Sequence, residues 1–208
     1  MALVQNRWHI LAVDLEKASI KNKAFHLKVE VIQQEIDPMN SVTGNIHRSS
    51  AGFDLAPPSA AQRQALESAL TKDERQVLLK HGTEAAFCGG LLGNKEAGTY
   101  CCRLCGLPLF SAARKFDSGT GWPSFTAPFA ADHLNAVRDI SYGMTRTEIR
   151  CVRCDSHQGH VFPDGPKPSG QRYCINSVSL EFTPGGQDLP DKLGRGHTSE
   201  GTSVRTSG

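Results

Sequence analysis

No run in this 208-residue chain is apolar for long enough to cross a bilayer. The opening stretch, Met1 to Asp14, has one arginine and no sustained apolar core, so it does not read as a secretory signal. Charge of either sign is also scarce in net terms. The formal balance is +2 and the basic residues are scattered, which excludes the footprint of a nucleic-acid binder. With no membrane partner and no nucleic acid expected, the composition (38% hydrophobic, 21% charged) is that of an ordinary globular protein. Even cysteine pairing is missing: there are seven, an odd number, and none falls in residues 1–55. An odd count without a signal argues against a disulfide framework. It favours a reducing, cytoplasmic setting with metal-bound and reactive thiols. A monomer is the default expectation.

The length suits one sizeable domain with extensions. Residues 1–55 sustain no single hydrophobic period and read as a poorly ordered extension. Leu27, Val29 and Val31 alternate as a short strand would, and Met39 offers a second possible start. A clearer region opens at Pro57. Ser59 caps a helix over 60–70, and Thr71-x-x-Glu74 is a capping box for a second helix from Lys72 to about Lys80, with Gly82 as its stop. Leu66, Leu70, Val77 and Leu78 are spaced for burial. From Thr99 onward, short apolar runs broken by Gly, Pro, Asn and Asp predict antiparallel β-structure. The candidate strands are 98–101, 140–144, 148–150, 159–162 and 173–182. The expected organisation is an extension (1–55), one domain (56–186) and a flexible tail (187–208).

Four cysteines fall in two Cys-x-x-Cys pairs, Cys102/Cys105 and Cys151/Cys154. Two thiolates at that spacing grip one ion in a knuckle, and two knuckles complete a tetrahedron. One such pair can be a redox dithiol or buried free thiols, but two pairs in one chain point to a structural zinc. Its closed shell leaves no position for chemistry. The pairs stand 45 residues apart, against roughly 15–20 in ordinary zinc ribbons, so a substantial piece of the fold lies between them.

Chemistry is therefore left to Cys174. Arg172, Cys174 and Asn176 are two apart and share a face if the segment is a strand. That face would continue through Val178, Leu180 and Phe182. A cation beside a thiol favours the thiolate, and Asn176 can orient water or a polar substrate. His157 and His160 follow the second knuckle directly and read as an acid/base pair. Trp122, in a Gly- and Pro-punctuated loop, offers an indole face to a methyl or sulfonium-like group. Two rival classes exist. A zinc-supported binding module explains the knuckles but neither Cys174 with its neighbours nor Trp122. A zinc hydrolase using His157 and His160 as ligands fails on ligand count.

Together these runs resemble the methionine sulfoxide reductase B family. The resemblance extends from about Phe53 to Phe182. It is carried by His81-Gly82-Thr83-Glu84, Tyr100-x-Cys102-x-x-Cys105-Gly106, Leu109-Phe110, Gly121-Trp122-Pro123-Ser124-Phe125 and Cys151-x-x-Cys154-Asp155. It continues in His157-x-Gly159-His160-Val161-Phe162-Pro163-Asp164-Gly165-Pro166 and Arg172-Tyr173-Cys174-Ile175-Asn176-Ser177. The resemblance implies a mainly β fold of two antiparallel sheets with short N-terminal helices, and a zinc remote from the catalytic centre. It implies a peptide-methionine (R)-S-oxide reductase acting on oxidised proteins or peptides and recycled by thioredoxin. In that reading Cys174 attacks the sulfoxide, His160 with His157 supplies a proton, and Arg172 and Asn176 support the site. Trp122 and Phe125 bind substrate, and Cys174 becomes a sulfenic acid.

Many members carry a second, resolving cysteine at or beside the position before Gly-Trp-Pro-Ser-Phe. Here that position is Thr120, which cannot form a disulfide. The unassigned thiols are Cys88 and Cys101. Cys88, beside Gly89-Gly90, combines access with reach and is the favoured resolving residue. Cys101, next to a metal ligand, is more constrained, and an external thiol is the third option.

Overall fold

The computed structural model describes residues 48–195. The expectations for Leu27, Val29, Val31 and Met39, and for the tail beyond 195, lie outside the described residues. Among the described residues no helix is long and apolar enough to cross a membrane.

Two short helices open the fold. Helix α1 (Ala60–Ser68) begins at Ser59, whose Oγ accepts from the Gln62 N–H while Gln62 Oε1 accepts from the Ser59 N–H. Helix α2 (Lys72–Leu78) repeats this reciprocal cap with Thr71 and Glu74. Helix α2 buries Val77 and Leu78, whereas α1 buries no residue fully. The chain leaves α2 through His81, not Gly82. His81 takes the left-handed conformation (φ 56°), and the Gly82 N–H bonds back to the Gln76 carbonyl at 3.1 Å. Glycine is needed at 82 for proximity, since a Cβ there would lie 2.8 Å from that oxygen.

Nine strands follow: β1 (Gly98–Cys102), β2 (Pro108–Ser111), β3 (Lys115–Phe116), β4 (Ser124–Phe125), β5 (Leu134–Asp139), β6 (Arg146–Cys151), β7 (His157–Phe162), β8 (Arg172–Ile175) and β9 (Leu180–Pro184). They form two sheets, ordered β2-β1-β9 and β3-β4-β8-β7-β6-β5, with every pairing antiparallel. The mainly β architecture of two antiparallel sheets with short N-terminal helices is thus present. Tyr100, Leu107, Leu109, Phe110, Phe125 and Ile175 are fully buried in its core. Each contributes about 1.5–3 kcal/mol relative to exposure.

Two expected strands are corrected. Residues 141–143 form a 3-10 turn rather than a strand. Asp139 Oδ1 accepts from both the backbone N–H and the hydroxyl of Ser141, which ends β5 there. The expected single strand 173–182 is broken by a 3-10 turn at Ser177–Ser179, after which the chain crosses to the other sheet as β9. The Glu84 carboxylate accepts the Ser177 and Val178 N–H groups and holds the break open. The predicted continuous face through Val178, Leu180 and Phe182 therefore does not form. Packing also reaches beyond both expected domain limits. Phe53 meets Phe129 and His133 edge-on, and Leu193 is buried.

Candidate active site

The metal-ligand residues converge from both sheets. Cys102 ends β1, Cys151 ends β6, and Cys105 and Cys154 lie in the turns that follow. Each knuckle closes with an N–H from the next residue, Gly106 to Cys102 and Asp155 to Cys151, both 2.8 Å. Those two residues take positive φ (77° and 55°), which Gly and Asp accommodate best. The four buried Sγ atoms lie within 4.8 Å of one another, with Cys102–Cys154 and Cys105–Cys151 both at 3.6 Å. A disulfide would need about 2.05 Å. Tetrahedral thiolate coordination at about 2.3 Å per bond places sulfurs about 3.8 Å apart. Ser156 Oγ and Gln158 Nε2 also approach Cys102 Sγ, at 3.4 and 3.7 Å, as donors around a metal thiolate do. The cluster therefore fits a structural metal.

The remaining site is a row across the six-stranded sheet. Ser124 of β4 pairs with Cys174 of β8, Cys174 with His160 of β7, and His160 with Glu148 of β6. Residues directly opposite share one face, with Cβ atoms roughly 4.5–5.5 Å apart. His157, three residues from His160, would normally face the other way. A bulge brings it back, because Ile149 pairs with Gly159 and Arg150 with His157, leaving Gln158 as the extra residue. The histidine ring centroids are 5.4 Å apart. Gly159 (φ 153°) is obligatory in this bulge: a Cβ there would come within 2.1 Å of the Cys174 carbonyl oxygen.

Each histidine has its own carboxylate. His157 Nδ1 lies 2.6 Å from Glu148 Oε1, an oxygen shared at the same distance with His81 Nδ1. These hydrogen bonds account for the closeness of His81, Glu148 and His157, which also places three ligand-type atoms within 4.8 Å. Burial opposes ionisation of Glu148, but Arg150, His81 and His157 overcome it and hold the carboxyl down at about 2. Burial lowers His157 below the usual imidazole range, against the pull of Glu148. Its Nδ1 faces the Glu148 carboxylate, and its buried Nε2 has no hydrogen-bond partner among the described residues. His160 Nε2 lies 2.9 Å from Asp139 Oδ2, which also accepts from Arg146 at 2.7 Å. Bonds from Ser141 and from His160 hold Asp139 well below the usual carboxylate range.

Cys174 is half-buried. Burial pushes its thiol up, and Thr120 and Arg172 only partly offset this. The Arg172 guanidinium is itself engaged by Asp164 in two 2.8 Å bonds and stacks over Phe162. Its pull on the sulfur favours the thiolate but is smaller than the effect of burial. Asn176 lines the same cleft as Cys174, with both ends of its amide engaged by backbone: its Oδ1 accepts from the Glu84 N–H and its Nδ2 donates to the Gln158 carbonyl. Phe125 is corrected as a substrate contact. It points to the face opposite Ser124 and stacks on Phe110 at 4.4 Å in the core.

Trp122 does face the site. Its Nε1–H donates to the Glu84 carbonyl at 3.1 Å, which fixes the ring. With Thr83, Arg146, His160, Phe162 and Cys174 it bounds a cleft of ≈ 120 Å³. Glu84, Thr120, Asp139, Arg146 and Glu148 went unassigned in the sequence reading. Only Glu84 carried a signal there, as the last residue of the His81–Glu84 run. Cys101 is fully buried in β1 and its thiol is pushed up to about 12 by burial. Cys88 is exposed, one residue beyond Phe87, whose N–H bonds to Gly121 at 2.9 Å. Gly89 packs against Ser177, while Gly90 is open on all sides.

The SelR domain family model matches residues 70–184, which include both knuckles and the whole row. Similar proteins carry the name peptide methionine sulfoxide reductase MsrB. One from Caulobacter vibrioides (strain NA1000 / CB15N) is 68% identical over 148 residues, covering 71% of this chain and 93% of the relative. One from Xylella fastidiosa (strain M23) is 58% identical over 154 residues (74% and 97%). One from Escherichia coli (strain K12 / DH10B) is 51% identical over 128 residues (62% and 91%). Matched by the family model across its two sheets and by relatives along nearly their whole length, this chain belongs to the methionine sulfoxide reductase B family.

Proposed function

We propose that the protein reduces methionine (R)-sulfoxide in oxidised proteins to methionine, with Cys174 as nucleophile. The observation that carries this reading is the direct pairing of Cys174 with His160 in a small cleft bounded by Trp122. The indole face receives the ε-methyl of the substrate and presents its sulfur to Cys174. A groove of ≈ 530 Å³ beyond Trp122, lined by Phe87, Leu92 and Phe116, accommodates flanking peptide and favours protein-bound substrate over the free amino acid.

The proton donor is His160. Asp139 holds its Nε2–H, so the imidazolium form offers Nδ1–H toward the cleft. His157, held to Glu148 through Nδ1, backs that ring rather than donating. The thiolate attacks the sulfoxide sulfur while the oxygen takes one proton; the new S–S bond and the S–O bond then break as the hydroxyl passes to the cysteine sulfur, leaving Cys174 as a sulfenic acid. Methionine is reduced and the cysteine is oxidised. The Cys88 thiol then condenses with the sulfenic acid, releasing water and forming a Cys88–Cys174 disulfide, which the dithiol of thioredoxin reduces. Burial of Cys101 leaves Cys88 or an external thiol for this step. Zinc fits the four-sulfur cluster; Cys102, Cys105, Cys151 and Cys154 would hold it, and its closed shell would tie the sheets together without taking part in the reaction.

A single-turnover assay with resolved sulfoxide epimers and no reductant tests the reading, with mass mapping of every cysteine. One equivalent of methionine from the R epimer alone, with a Cys88–Cys174 disulfide, is expected. No methionine from a metal-loaded protein would overturn it. Methionine formed while Cys88 stays free would move resolution to an external thiol.

A further inference from the structure

Three hydroxyls stand in file behind Cys174. Thr120 Oγ1 is 3.9 Å from its Sγ and 2.8 Å from Ser118 Oγ, and Ser118 Oγ is 2.7 Å from Ser124 Oγ. At the far end Ser124 Oγ donates to the Trp122 carbonyl at 3.2 Å. A carbonyl only accepts, so with the Ser124 proton on the Trp122 carbonyl Ser124 receives from Ser118. While Cys174 is a thiol, every donor then runs away from the sulfur: thiol to Thr120, Thr120 to Ser118, Ser118 to Ser124. Once the sulfur is an anion it can only accept. Thr120 must then turn its proton to the sulfur, Ser118 to Thr120, and Ser124 from the Trp122 carbonyl to Ser118.

We propose that Thr120 is the hydroxyl donor to the Cys174 thiolate, through a chain whose direction reverses when the sulfur ionises. The proposal rests on the reading of Cys174 as nucleophile and adds a residue that touches the reacting atom. Other charged or titratable groups face this sulfur. Arg172 comes from the same strand with Asp164 behind it, His160 with Asp139 comes from β7, and Arg146 of β6 lines the same cleft. Arg172 is shared with Asp164, whereas the Thr120 hydroxyl can turn from Ser118 to the sulfur. Thr120 and Ser118 are both half-buried, and Ser124 is fully buried, so bulk water competes little for the chain. At the position where relatives of one type place a second thiol, this chain therefore carries a group that stabilises the first.

The test is the pH dependence of Cys174 alkylation by iodoacetamide, read at that site by mass spectrometry on the metal-loaded full chain. Thr120→Val, which keeps the shape and removes the hydroxyl, is expected to move the midpoint up by about one pH unit, the size of one hydrogen bond to a charged group. Thr120→Ser is expected to keep the parent midpoint. Equal midpoints in Thr120→Val and parent would overturn the proposal. If the valine variant loses its metal, Ser118→Ala decides: a smaller upward shift supports the chain and an unchanged midpoint overturns it. Alkylation needs no sulfoxide, so a protein inactive on both epimers would refute the function while this measurement still judged the hydrogen bond.

Discussion

At Cys174 two influences oppose each other, and burial wins in the resting protein. In the proposed reaction the thiol is held back until a substrate sulfoxide fills the cleft and His160 protonates the departing oxygen. Two outcomes follow for single residues. Cys174→Ser should release no methionine while metal content, measured by atomic absorption, stays at the parent value, because the cysteine lies outside the knuckles. Asp139→Asn should lower kcat about tenfold, since the carboxylate that holds the His160 ring through Nε2 is gone. Steady-state kinetics of the variant check the size. Cys174 and the two histidines could be picked out as candidates because each lies in a short local run. Thr120 was legible only as a missing thiol, and Asp139 not at all. Its partner His160 is 21 residues away in sequence and meets it only through the β5–β6–β7 pairing.

Among the elements, β7 carries the most consequence. Its bulge turns a three-residue spacing into one shared face, and Gly159 makes that possible by lying against β8. Gly159→Ala should destabilise the fold by roughly 3 kcal/mol or more, measured by urea denaturation, because the backbone it meets cannot yield. Glu148 on β6 adds a pH dependence. Its folded carboxyl sits at about 2 against an ordinary 4.5, so it contributes stability above pH 4.5 that is lost as pH falls toward 2. Glu148→Gln should flatten the stability profile in that window. The break between β8 and β9 shows why part of the fold was unreadable. From Tyr173 to Phe182 the alternation is that of one strand, and what divides it is Glu84, more than 90 residues upstream. The capping boxes at Ser59 and Thr71 were readable for the opposite reason: both partners lie within three residues.

For the molecule as a whole, the four cysteines join β1 of the small sheet to β6 of the large one, and β7 leaves directly from the second knuckle. Stripping the metal with a chelator should therefore abolish methionine formation and lower the thermal midpoint together, at one ion per chain, since bound metal is folding free energy. Activity that survived metal loss would show the knuckles to be dispensable for placing His157 and His160. The cross-strand seat of Cys174 against His160 bears on timing. Both groups sit mid-sheet, so the proposed oxygen transfer asks for no large displacement of the chain, whereas the proposed disulfide asks the exposed Cys88 to reach Cys174. If that reach limits the cycle, raising solvent viscosity should leave the burst of methionine untouched and slow every later turnover, and the pace would be set by a loop of the protein rather than by the chemistry at its sheet.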